Sequence, residues 1–189
     1  MKIRETFYTS SREKWRAWLE RNHGLKKEIW LIYYRKVSGK RRIPYNDAVE
    51  EALCFGWIDS TVKRIDGERF AQRFTPRKRT SGLSQMNKER IRKLIKEKRM
   101  TPAGLKAVSH AFVANPDHEK SEIPPRILNA IRKDKDAWKH FQNLPESYKR
   151  IRIAYITGRK RQGAGAFKRS LEHFVRMTSR NKRFGFVRE

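Results

Sequence analysis

The order of apolar and polar residues changes between helical and strand-like spacing in the first third of the chain. Trp15, Trp18 and Leu19 share one helical face, which predicts a first helix over about residues 11–22. Residues 28–34 are aromatic and β-branched instead, which is typical of a strand. Turn-forming residues follow, so we expect this strand to continue into a hairpin.

A second helix and a β-hairpin come next. Residues 47–55 place apolar side chains on one helical face, and Gly56 stands where a left-handed helix cap belongs. The runs 57–65 and 69–75 flank the dipeptide Asp66-Gly67, which is typical of a tight hairpin turn. The pattern therefore predicts a helix that stops at Gly56 and leads into two paired strands.

The rest of the chain has helical spacing. Ser84 and Thr101 precede two helix starts, and residues 115–121 have the polar composition of a linker. Beyond them, apolar residues recur at helical spacing. We predict an α+β fold: a small antiparallel sheet with packed helices over residues 1–112, a linker over 113–122, and a basic helical C-terminal subdomain over 123–189.

Composition adds a large positive charge to this picture. The 189 residues include 47 Lys and Arg against 20 Asp and Glu, which gives a formal net charge of +27. Since 37% of the residues are hydrophobic, the chain has enough apolar side chains for a folded core. The charge favours an anionic ligand, an acidic protein, an acidic lipid surface, or DNA or RNA as the partner.

Cysteine usage and hydropathy bear on the compartment. The single cysteine excludes an internal disulfide and fits a reducing environment. No apolar run approaches the roughly 18 residues that a membrane span needs. We expect a cytoplasmic protein, and the sequence leaves its oligomeric state open.

The loop after the predicted hairpin combines cationic side chains, hydroxyl groups and a helix start. Such a combination binds phosphate or carboxylate groups. The predicted anion-binding residues are Arg73, Arg77, Lys78, Arg79, Ser81 and Ser84, with Trp30, Tyr34, Tyr45 and Trp57 as an aromatic wall. In the structural alternative, Arg77 pairs with an acidic side chain such as Glu50, and its neighbours face solvent.

Two residues are candidates for catalytic chemistry. Asp59 enters a strand and would act as a general base, or it would bond nearby amides or pair with Arg73. Cys54 would be a nucleophile only with a lowered pKa, but it lies near a helix C-terminus, where the dipole raises the pKa. The five histidines are scattered and nucleotide-binding motifs are absent, so we predict no metal site and no cofactor.

Several separated motifs resemble one known family. They are DAVEEALCFGWID at 47–59, RFTPR at 73–77, RMTPAG at 99–104, LPESY at 144–148 and RKR at 159–161. In this order they resemble the YdeI or OmpD-associated family, also called the bacteriocin-protection family, over most of residues 5–108 and into the helical end. The resemblance implies a role in envelope stress or in resistance to bacteriocins, without an established reaction or cofactor.

These observations lead to one main hypothesis and two alternatives. We expect a non-enzymatic, cytoplasmic protein of stress or antimicrobial tolerance that binds an anionic ligand or an acidic partner. One alternative is an enzyme with Asp59 as its general base. The other is nucleic-acid binding through the basic C-terminal helices, by Arg159, Lys160, Arg161, Lys168, Arg169, Lys182 and Arg183.

Overall fold

A computed structural model describes residues 2–112 and 122–185 of the chain. Over these ranges the protein forms eight α-helices and one four-stranded sheet, which confirms the predicted α+β class. The described chain divides into two compact units. The first consists of residues 1–83 and 90–112, and the second of residues 84–89 and 113–189. Residues 113–121 of the predicted linker lie outside the described residues.

The first unit contains all four strands of the sheet. Its elements are β1 (Thr6–Tyr8), α1 (Arg12–Asn22), β2 (Ile29–Tyr34), a 3₁₀ helix (Lys36–Ser38), α2 (Tyr45–Cys54), β3 (Trp57–Arg64), β4 (Arg69–Pro76) and α4 (Pro102–Val108). Residues 90–96 of α3 (Gln85–Lys96) also belong to this unit, whereas residues 85–89 belong to the second. The strand order is β1-β2-β4-β3. β1 runs parallel to β2, whereas β2 with β4 and β3 with β4 are antiparallel, so the sheet is mixed.

The predicted hairpin directly after β2 does not form. β2 is a central strand, with Trp30 opposite Thr6 of β1 on one side and opposite Arg73 of β4 on the other. β4 pairs along the whole of β2, and β1 pairs with residues 30–32 on its other side. The segment that follows β2 instead forms the 3₁₀ helix and returns to the N-terminal region, where the N–H of Ile43 donates to the carbonyl oxygen of Thr9.

The second predicted hairpin forms as expected. β3 and β4 pair across residues 65–68, and both Glu68 and Arg69 donate their N–H groups to the Asp66 carboxylate. α2 ends at Cys54, and Gly56 has a φ of +75°, the left-handed cap conformation. The local sequence therefore predicts this corner correctly.

Aromatic side chains fill the core of the first unit. Trp15 is fully buried and stacks on Trp18 at 5.3 Å between ring centroids, and it also contacts Phe74 of β4. Beside this core lies a buried carboxylate, Glu51, which receives ion pairs from Arg12, Arg16 and Arg99. The ion pairs connect α2 to α1 and to the segment that precedes α4.

The second unit is helical. Its elements after residue 122 are α5 (Pro125–Lys133), α6 (Lys135–Gln142), α7 (Glu146–Gly158), a 3₁₀ helix (Arg159–Gln162) and α8 (Ala164–Ser179). Its own apolar core includes Ile131, Phe141, Ile156 and Phe174. Within the described part of the chain, no helix is both long and apolar enough to cross a bilayer.

Candidate functional site

A cavity of about 540 Å³ opens in the first unit, where β3 begins and β4 ends. Five of its lining residues are basic and one is acidic. They are Lys26, Lys27, Arg73, Arg77, Lys78 and Asp59. The hairpin register explains part of this grouping, because Asp59 lies opposite Phe74, between Arg73 and Thr75 of β4. The cavity therefore brings together four predicted anion-binding residues, since Ser81 also lines it.

Arg77 is the most constrained of the basic residues. It follows β4 directly, and its side chain is buried, so that only 8% of the residue is exposed. Its backbone N–H donates to Gly56, and its Nη1 donates to the carbonyl oxygen of Gly82 at 2.9 Å. Its Nε and Nη2 have no hydrogen-bond partner among the described residues. Burial lowers the pKa of this guanidinium, and the nearby Asp59 carboxylate opposes that effect.

The charge of Arg73 is already paired. Its Nε donates to Glu28 at 2.8 Å, and its Nη2 donates to the same carboxylate oxygen. The hydrogen bond from Arg73 holds the pKa of the Glu28 carboxyl below its usual value. Arg73 therefore contributes less free positive charge to the cavity than Arg77 does.

The remaining cations line the cavity from two loops. Lys26 forms an ion pair with Glu5 at 2.8 Å. Lys27 and Lys78 are exposed, and neither forms an ion pair with a described residue. Their side chains are therefore available to an anion in the cavity, together with the partly exposed Ser81.

Asp59 lies on the cavity wall without pairing to Arg73. The hydroxyl of Tyr45 donates to its Oδ2 at 2.7 Å. Burial and this hydrogen bond raise the pKa of Tyr45 to about 12, so the phenol keeps its proton at neutral pH. Asp59 is thus a carboxylate that borders an open cavity, held in place by a neutral phenol.

Two of the predicted anion-binding residues do not line the cavity. Arg79 is exposed, and Ser84 caps α3 by accepting a hydrogen bond from the N–H of Asn87. The predicted pairing of Arg77 with Glu50 does not occur either, because Glu50 receives an ion pair from Arg12. The cavity therefore lacks the predicted Arg79 and Ser84 and holds Lys26 and Lys27 instead.

The four predicted wall aromatics do not meet at the cavity. Trp30 and Trp57 are buried inside the first unit, and the indole N–H of Trp57 donates to the carbonyl oxygen of His23. Tyr34 lies at the other end of β2 and packs edge-on against Tyr8. Tyr45 does not line the cavity, but its hydroxyl donates to Asp59, which does.

Cys54 is fully buried at the end of α2 and is absent from the cavity lining. Burial raises the pKa of its thiol to about 11, and the neighbouring Glu51 carboxylate acts in the same direction. The thiol is therefore protonated at neutral pH, and these features favour a structural role.

Sequence reasoning missed Lys26 and Lys27. Both precede β2, whose first residue, Ile29, lies opposite Phe74 near the end of β4. Only the register of β2 on β4 indicates that these lysines approach Arg77. The sequence predicted a hairpin after β2 and therefore did not predict the pairing of β2 with β4.

The proposed nucleic-acid residues all lie in the second unit. Arg159, Lys160 and Arg161 belong to its 3₁₀ helix, Lys168 and Arg169 to α8, and Lys182 and Arg183 follow α8. All are exposed except Arg159, which is partly buried. Over residues 2–112 and 122–185, no group of three or more His, Cys, Asp or Glu side chains is placed to hold a metal ion.

Two family models match the chain, and they match different parts of it. The bacteriocin-protection, YdeI or OmpD-associated family matches residues 120–181, which confirms the resemblance for the C-terminal part. A domain of unknown function, DUF8412, matches residues 7–107, the region that holds most of the quoted motifs. No curated protein and no solved structure gives a significant match. Because the DUF8412 match covers more than half of the chain, the protein belongs to the DUF8412 family, and a match to the bacteriocin-protection family follows at residues 120–181.

Proposed function

We propose that the protein is a non-enzymatic, bacteriocin-protection-like protein that binds a small anionic ligand or an acidic group of a partner in the Arg77 cavity. The observation that carries the proposal is the buried guanidinium of Arg77, with two N–H groups that have no partner among the described residues. A buried guanidinium with unsatisfied N–H donors and no ion pair is costly, and an anion in the cavity would offset that cost.

The surroundings of Arg77 support the same ligand class. Lys27 and Lys78 leave their charges unpaired among the described residues, and Ser81 adds a hydroxyl donor. The volume of about 540 Å³ lies within the range of small-molecule pockets, roughly 300–1,000 Å³. The family match supports a role in tolerance of bacteriocins, and the single buried cysteine fits a cytoplasmic location.

The experiment is a calorimetric titration of the full chain with two probes, inorganic phosphate and a short glutamate-rich peptide. The test variant is the double substitution Arg77→Ala with Lys78→Ala. The control is Arg79→Ala with Lys106→Ala, which removes the same charge from two exposed residues outside the cavity. We expect the test variant to weaken binding at least about tenfold, or about 1.4 kcal/mol, and the control to change it less than about twofold.

Two results would contradict this proposal. One is unchanged affinity in a test variant that keeps its near-ultraviolet circular dichroism. The other is the absence of binding by both probes to the wild-type chain at millimolar concentration. Equal weakening in the test and control variants would show a diffuse charge effect and would also reject the cavity.

An enzyme that uses Asp59 as a general base is the second candidate function, because Asp59 borders the open cavity. The substitution Asp59→Asn separates the two functions. In an anion site this substitution removes a repulsive charge, so phosphate affinity rises. An enzyme would instead lose turnover when its base is neutralised.

Nucleic-acid binding is a third candidate, supported by the exposed basic residues of the 3₁₀ helix and α8. It predicts that affinity for an oligonucleotide falls by about 10³–10⁵ between 50 and 200 mM salt, if 6–10 phosphates are contacted. A shallow salt dependence would exclude it.

A further inference from the structure

The second unit contains a cavity of its own, of about 440 Å³. None of the ten described residues that line it is acidic. Three arginines, one histidine, one serine and two aromatic rings line it: Arg152, Arg159, Arg169, His173, Ser170, Tyr155 and Phe184. The cavity therefore has the composition of an anion site with an aromatic wall.

Arg152 lines this cavity and is almost fully buried, with 7% of the residue exposed. It lies in the middle of α7, between Ile151 and Ile153, which are buried as well. No described carboxylate forms an ion pair with it, and its Nε has no hydrogen-bond partner among residues 2–112 and 122–185. Burial lowers the pKa of its guanidinium.

Aromatic rings are the neighbours that Arg152 does have. Its guanidinium carbon lies 3.9 Å from the ring centroid of Phe184 and 5.1 Å from that of Tyr155. Such cation–π contacts return only part of the cost of removing a charge from water. A methionine at this position would fit the apolar surroundings without that cost. The stability of α7 therefore does not explain why the residue is an arginine.

Two further arginines line the cavity and add hydrogen-bond donors. The guanidinium carbon of Arg159 lies 5.4 Å from the ring centroid of Tyr155, and the Arg159 Nε is also buried without a partner among the described residues. Arg169 lines the cavity from α8 and is exposed. Arginine binds phosphate with paired N–H donors, and three arginines line this one cavity.

The ring of Tyr155 indicates the rest of the ligand. Tyr155 is 48% exposed, although it belongs to a helix whose other face is buried. An exposed aromatic ring beside arginines is a platform on which a planar base stacks. We propose that this cavity binds a nucleotide unit, with the phosphate held by Arg152, Arg159 and Arg169 and the base stacked on Tyr155. This site is independent of the Arg77 cavity and of the ligand proposed for it.

The test uses adenosine 5′-monophosphate as the probe, titrated into the full chain at about 150 mM salt. Inorganic phosphate and adenosine supply the two halves of the probe separately, and we expect each to bind at least about tenfold more weakly. The substitution Arg152→Met should weaken binding of the monophosphate at least about tenfold. The same substitution should leave the melting temperature unchanged or raise it, because it replaces a buried unpaired charge by an apolar chain of similar length.

Two further variants keep the test decisive. Arg132→Met makes the same chemical change at an exposed residue of the second unit outside the cavity lining, so we expect less than about a twofold effect. Tyr155→Ala removes the exposed ring, so it should weaken binding of the monophosphate while leaving binding of inorganic phosphate unchanged. If Arg152→Met fails to fold, Tyr155→Ala still tests the site.

The source of the nucleotide unit is distinguished by a short single-stranded oligoadenylate. If the oligonucleotide binds far more tightly than the monophosphate and Arg152→Met abolishes both, the unit belongs to a strand. If the two affinities are similar, the ligand is a free nucleotide. The proposal is overturned if Arg152→Met leaves monophosphate binding unchanged in the folded protein, or if Arg152→Met and Arg132→Met weaken binding equally.

Discussion

The backbone N–H of Arg77 donates to the carbonyl oxygen of Gly56 at 2.8 Å. This hydrogen bond joins the glycine just after α2 to a residue that lines the proposed anion cavity. Gly56 has a φ of +75° and packs closely against α4. The geometry of the helix stop therefore fixes the backbone from which the Arg77 side chain projects.

The substitution Gly56→Ala should destabilise the first unit. A Cβ at this position would lie 2.6 Å from the Cβ of Ala107 and 3.2 Å from the carbonyl oxygen of Ala103, and it would also disfavour the positive φ. We expect a loss of about 2–4 kcal/mol in the free energy of unfolding. Urea denaturation followed by tryptophan fluorescence measures it, since four of the five tryptophans belong to this unit.

Gly24→Ala is the matched control for that experiment. A Cβ at residue 24 would have no atom within 4 Å, so the stability should change by less than about 0.5 kcal/mol. Equal effects of the two substitutions would contradict the close packing of Gly56 on α4.

Glu51 should be one of the most sensitive polar residues of the fold. Its side chain is fully buried and accepts ion pairs from Arg12, Arg16 and Arg99. Glu51→Gln removes the charge that these arginines share, and we expect a loss of about 3–5 kcal/mol in the free energy of unfolding. Glu20→Gln, on the exposed face of α1, is the control and should be nearly neutral. A small effect at Glu51 would mean that the three arginines are solvated.

The thiol of Cys54 should be unreactive in the folded protein. Its pKa of about 11 leaves about one thiolate in a thousand at pH 8, and the side chain is closed to solvent. We expect no reaction with Ellman's reagent over an hour at pH 8, and one thiol per chain in denaturing urea. Val62→Cys supplies an exposed thiol as the positive control. Rapid modification of Cys54 in the native protein would support the nucleophile hypothesis.

The ion pair of Glu28 with Arg73 should make the free energy of unfolding depend on pH in the acid range. The pKa of Glu28 is lowered in the folded state, from an ordinary value of 4.5, so its contribution is present above that value and is lost as the pH falls through the folded-state pKa. Glu28→Gln should cost about 1 kcal/mol or less at pH 7, and the difference from the wild type should vanish in acid. Glu68→Gln is the control, and a difference that persists at low pH would refute the assignment.

The helix ends and turns of the fold are predictable from the sequence because each is formed by a few neighbouring residues. Gly56 ends α2 through its own backbone conformation, and Asp66 builds its turn by bonding the amides two and three residues ahead. Thr101 caps α4 in the same way, by accepting from the N–H of Gly104. Each of these signals needs only the chemistry of a few neighbouring residues.

The position of β2 is different, because the pairing of a strand depends on residues far along the chain. Its aromatic and β-branched residues predict a strand, but they are equally compatible with a hairpin and with a central position between β1 and β4. The register with β4 decides which side chains surround Arg77, and it brings Lys26 and Lys27 to the cavity.

The sequence by itself determined the α+β class, the helix stop at Gly56, the second hairpin and the basic character of both units. Only the tertiary structure decided which charges are paired. Glu50 and Glu51 form ion pairs with arginines of α1, and Glu51 also pairs with Arg99 before α4. Arg73 pairs with Glu28, whereas Arg77 and Arg152 are buried and form no ion pair with a described carboxylate. The physical reason is that burial and ion pairing depend on which distant segments pack together, whereas caps and turns depend on adjacent residues.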